Sequence, residues 1–114
     1  MNLELGNLHV LITGGSKGIG LACAQGFLAE GARVTLLARQ PQALAVARDT
    51  LLAAGVAPER VGTQSADLCD PAQARTAIDA AEAALGPVQV LVNSAGAARR
   101  TPADELTPQA WANA

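Results

Sequence analysis

Residues 13–20, TGGSKGIG, hold four glycines, one serine and the chain's single lysine. The apolar run LHVLIT (8–13) leads into them, and GIGLACAQGFLAEG (18–31) leads away. A turn with almost no side chains lets a ligand approach the backbone. A helix opening there presents unpaired N–H groups and about half a positive charge. Together these bind phosphate. In this reading Gly14 makes the turn, Gly18 clears space for a pyrophosphate and Gly20 lets the helix lie close to a sheet. The turn is not a Walker loop, because Lys17 is followed by Gly18 rather than Ser or Thr. Nor is it GxGxxG, since the spacing is Gly14-xxx-Gly18-x-Gly20. Its position between a strand and a helix is what favours a nucleotide over a purely structural bend.

The elements that must position this turn are readable along the chain. LHVLIT (8–13) predicts a first strand. Residues 18–31 predict a helix, with Ile19, Cys23 and Phe27 recurring four apart and Gly31 as its C-terminal cap. RVTLLAR (33–39) predicts strand 2. QPQALAVARDTLLAAG (40–55) predicts a helix with Leu44, Ala47 and Leu51 on one face and Gly55 as its stop. RVGTQSADL (60–68) predicts a third, more polar strand. DPAQARTAIDAAEAALG (70–86) predicts a helix with Asp70 as N-cap, Pro71 at its first position and Gly86 as C-cap. VQVLVNSAG (88–96) predicts strand 4, AARRTPADEL (97–106) a polar loop, and TPQAWANA (107–114) the start of another helix. Strict alternation of strand and helix predicts an α/β fold: a Rossmann-type, doubly wound parallel sheet with right-handed crossovers. The expected strand order is 3-2-1-4.

At these residues the chain resembles the classical short-chain dehydrogenases/reductases. TGGSKGIG after an apolar strand looks like that family's cofactor signature. NSAG (93–96) at the end of strand 4 looks like its second motif, usually written with two asparagines; Ser94 is a mild departure. ADL (66–68) matches the place where the family contacts adenine. The resemblance implies that Gly14, Ser16, Gly18, Ile19 and Gly20 line the pyrophosphate and ribose, and that Asp67 and Leu68 meet the adenine. Asn93, Ala95 and Gly96 would form the floor near the adenine ribose and the nicotinamide. Asn93 reads equally well as a buried amide tying strand 4 to its neighbour, and Asp67 as an exposed strand-end carboxylate.

The residues themselves speak to the choice of nicotinamide cofactor. A site for NAD usually places an acid at the end of strand 2, where it accepts hydrogen bonds from the ribose 2′-hydroxyl. Strand 2 here ends in Ala38 and Arg39. Arg39 can hold a 2′-phosphate bidentately, and Lys17 adds a second charge. Screening leaves each worth roughly 1–2 kcal/mol at an exposed site. The expected cofactor is therefore NADP(H). His9, the single histidine, lies at the start of strand 1, away from the carboxyl ends of strands where such sites form, and reads as structural. Arg99 and Arg100, in the loop after strand 4, read as a solvated loop pair before a contact to an anionic substrate, and Trp111 as a packing residue.

Composition frames these readings. The 114 residues suit one domain, with 50% hydrophobic residues, 2% aromatics and a formal net charge of −2. No general basic surface calls for nucleic acid. No apolar run spans a membrane, and MNLELGNLHV lacks a signal-type n-region. Cys23 and Cys69 have neither CxxC nor zinc-ligand spacing, so the expectation is a soluble cytoplasmic protein without a metal. The resemblance implies a carbonyl–alcohol oxidoreductase that is a dimer or tetramer acting on a small molecule. Its proton donor would be a tyrosine with a lysine four residues later, helped by a serine and an asparagine. These 114 residues contain no tyrosine. Strand 4, VQVLV, carries no charge or proline and reads as an interior strand. Residues 1–114 are therefore expected to be the N-terminal part of a single NAD(P)-binding domain, with no catalytic residue among them. The rival readings are a non-catalytic dinucleotide-binding module and an inert fragment.

Overall fold

The computed structural model describes residues 7–14 and 18–94. Four strands, β1 (His9–Thr13), β2 (Arg33–Ala38), β3 (Val61–Ser65) and β4 (Val90–Asn93), alternate with helices α1 (Gly18–Ala29), α2 (Pro41–Ala53) and α3 (Pro71–Leu85). A short 3-10 turn, Pro58–Arg60, precedes β3. All strand pairs are parallel and the order is β3-β2-β1-β4. This is the doubly wound arrangement that strict alternation predicts.

Each face of the sheet has its own core. Val10, Ile12, Val34 and Leu36 alternate toward the layer of α1 and α2, where they meet Ala24, Leu28, Leu44, Ala47 and Leu51. Leu11 and Leu37 point the other way, against Ala77 of α3 and Ala66. A strand buried on both faces reads as a continuous apolar run, which is why HVLIT and VTLLA carry so little polarity.

The helix ends follow local chemistry. Asp70 has extended backbone, and its side chain accepts from Ala72 N and Gln73 N. Gly55 and Gly86 have φ of 100° and 90°, left-handed conformations that favour glycine. Arg60 Nη2 donates to the carbonyls of Leu28, in the last turn of α1, and of Ala32, just beyond it.

Helix α1 departs from the expected face. Ile19 is 77% exposed, and the buried residues are Gly20, Ala24 and Leu28, with Cys23 and Phe27 only partly buried. Its sequence is apolar nearly all round, so spacing alone does not choose a face. The sheet selects the small residues, which admit the closest approach. Strand 3 ends three residues earlier than expected, at Ser65, because Ala66–Cys69 turn back toward α3. The expected last helix (107–114) lies outside the described residues. Strand β4, expected to be interior, pairs with β1 alone among the described residues, and Leu91 is 52% exposed.

Candidate dinucleotide site

The parallel sheet brings the carboxyl ends of all four strands to one edge, where open α/β sheets bind ligands. The crevice lies where the chain order reverses, between β1 and β4. Gly14 closes β1: its N–H donates to Leu37 O at 2.7 Å and its φ is 70°. Gly18 begins α1 with a φ of 60°. Among the described residues, a Cβ built on Gly18 would meet nothing within 4 Å. The first turn of α1 is therefore bare on that side, as a backbone that receives phosphate must be. Gly20 is buried against the sheet. Ser16 and Lys17 lie outside the described residues.

The neighbouring strand ends supply side chains. Arg39 follows β2 and is exposed, and no hydrogen bond or ion pair engages its guanidinium among the described residues. Ser65, at the end of β3, donates from Oγ to Arg39 O at 2.9 Å and so fixes the backbone from which that guanidinium extends. Asp67 is half-buried, with Oδ1 accepting from Cys69 N at 2.9 Å. The carboxylate is held within the turn that follows β3. Leu68 packs against the α3-side core.

At β4, Thr13 Oγ1 donates to Asn93 Oδ1 at 2.8 Å. Asn93 does tie its strand to β1, as one reading expected, although it is exposed rather than buried. Ser94 repeats the tie, donating from both N and Oγ to Thr13 O. Ala95 and Gly96 lie outside the described residues, as do Arg99, Arg100 and Trp111.

His9 stands at the opposite, amino edge. It is fully buried, with Nδ1 2.7 Å from Gly86 O and Nε2 2.7 Å from Thr35 Oγ1. A carbonyl only accepts, so Nδ1 carries the proton and donates to Gly86. This is the structural role the sequence predicts for it.

Sequence reasoning missed Ser65 and Gln73. Gln73 Oε1 accepts from Asp67 N at 3.0 Å. The signal available for Gln73 was its place three residues after the N-cap Asp70, the spacing of a capping box. Among the described residues no group of His, Cys, Asp and Glu could hold a metal, and no helix is long and apolar enough to cross a membrane.

Compared with known families, the chain matches short chain dehydrogenase over residues 8–114. It belongs to that family. It is 34% identical over 108 residues to gluconate 5-dehydrogenase of Gluconobacter oxydans, covering 95% of this chain and 41% of the relative. It is 46% identical over 89 residues to 3-dehydrosphinganine reductase TSC10B of Arabidopsis thaliana, covering 77% of this chain and 25% of that one. Among solved structures, L-sorbose reductase of Gluconobacter frateurii, complexed with NADPH and L-sorbose, superposes with a TM-score of 0.77 at 33% identity. That match covers 98% of this chain and 42% of the reductase. The chain thus spans about two-fifths or less of the length of these relatives.

Proposed function

We propose that the protein is an NADP(H)-dependent oxidoreductase that interconverts a carbonyl and an alcohol, and that residues 1–114 form its cofactor-binding half. The observation that carries the cofactor choice is Arg39: exposed, engaged by no partner among the described residues, and standing where a site for NAD has an acid. The bare first turn at Gly18 supports the dinucleotide itself, since that space would admit a pyrophosphate. The relatives support the reaction class, being dehydrogenases and reductases by name.

In this reading Gly14, Ser16, Lys17, Gly18, Ile19 and Gly20 bind the pyrophosphate and its ribose. Arg39 and Lys17 hold the 2′-phosphate. Asp67 and Leu68 meet the adenine, and Asn93, Ala95 and Gly96 line the path toward the nicotinamide. The exposure of Ile19 leaves an apolar side chain free to cover the bound cofactor. When bound, the reduced nicotinamide supplies a hydride, two electrons with one proton, to a carbonyl carbon. The carbonyl oxygen then needs a proton from the protein. We assign that step to none of these 114 residues, which include no tyrosine. We place the whole enzyme in the cytoplasm as a homo-oligomer acting on a small molecule.

The test of the cofactor assignment is Arg39→Ala in the protein at its natural length. NADPH affinity should fall about tenfold, the worth of roughly 1–2 kcal/mol at an exposed charge, while NADH affinity stays within twofold. An unchanged NADPH/NADH ratio would refute the assignment. The second reading is a dinucleotide-binding module without catalysis. A Tyr-xxx-Lys pair in the natural-length sequence, with NADPH oxidation that its Tyr→Phe variant abolishes, decides for the enzyme.

A further inference from the structure

We propose that Gln73 is a positioning residue of the adenine subsite, acting through Asp67. The inference rests on the dinucleotide reading above. In a capping box the residue three after the N-cap returns its side chain to the N-cap's own N–H. Here that N–H is already used: Asp70 N donates to Asp67 O at 3.0 Å, closing the turn. Gln73 reaches three residues further upstream instead, and its Oε1 accepts from Asp67 N at 3.0 Å. Its Nε2 donates to Asp70 Oδ2 at 3.3 Å, which fixes which way the amide faces.

Asp67 is thus gripped on three sides. Gln73 holds its N–H, Asp70 N its carbonyl and Cys69 N its Oδ1. The second carboxylate oxygen has no partner among the described residues and remains to accept from a ligand's amino group. Packing holds the residues on either side, Ala66 and Leu68, against the α3-side core, while among the described residues Gln73 alone engages the Asp67 N–H. A groove of about 280 Å³ opens beside it, lined by Gln64, Ser65, Ala72, Gln73, Thr76 and Ala77. On that side an apolar side chain at position 73 has room without clash.

The experiment compares Gln73→Leu and Gln73→Glu with the unaltered protein at natural length, titrating NADPH, NADH and reduced nicotinamide mononucleotide, which lacks the adenosine half. Gln73→Leu should weaken NADPH and NADH equally, by about three- to tenfold, the worth of one hydrogen bond, and leave the mononucleotide unchanged. Gln73→Glu keeps an acceptor for Asp67 N but sets a second carboxylate oxygen against Asp70 Oδ2 in place of the donating amide, so it should recover part of that loss. Equal weakening of all three ligands, or of none, would overturn the proposal, as would failure of Glu to recover more than Leu. If the unaltered protein binds neither dinucleotide, the dinucleotide reading falls and this inference with it.

Discussion

Gly18 and His9 show how differently single residues serve this sheet. At Gly18 a left-handed φ of 60° coincides with open space where a Cβ would stand. Gly18→Ala should lower stability by about 1–2 kcal/mol through backbone strain. It should also weaken NADPH about tenfold, near 1.4 kcal/mol, because the methyl group enters the phosphate's approach. Urea unfolding and cofactor titration on the same variant separate the two. At His9 both ring nitrogens are engaged inside the core. His9→Leu strands the Gly86 carbonyl and the Thr35 hydroxyl, and should cost about 2–4 kcal/mol, read as a lower denaturant midpoint, with cofactor affinity unchanged. The glycine turn and the histidine's structural role were legible because each depends on residue type and place along the chain. The grips of Ser65 on Arg39 and of Gln73 on Asp67 were not, because they join side chains to backbone across turns whose path only folding sets.

Helices differ in how far their sequences disclose their packing. In α2, apolar and polar residues segregate, and Leu44, Ala47 and Leu51 are buried as spacing predicts. Leu51→Ala should cost about 2–5 kcal/mol by opening a cavity under β2, measured by chemical denaturation. In α1 nearly every position is apolar or small, so the buried face lies one residue along from the expected repeat. There the sheet decides. In α3, Asp70, Pro71 and Gly86 mark both ends, and the structure keeps all three where expected.

The whole sheet is lopsided. On the α3 side, Leu11 of β1 is covered, whereas its register partner on β4, Leu91, is half exposed. Leu91→Lys should therefore act in opposite directions in two settings. In the isolated 114-residue polypeptide it should reduce self-association, read by sedimentation velocity. In the natural-length protein, where we expect β4 to be interior, it should lower the melting temperature. An increase or no change there would argue against an interior β4. Strand order was legible from alternation alone, but what lies beyond β4 was not, because a strand's neighbours depend on sequence far from it. The buried His9 tie has a further consequence. It clamps β1, β2 and the α3–β4 connection at the sheet edge remote from the glycine turn. Robustness and ligand choice are thus housed at opposite rims, so variation at one rim can proceed with little penalty at the other. Cofactor preference in such a frame can be re-engineered at the strand tips without re-engineering the fold.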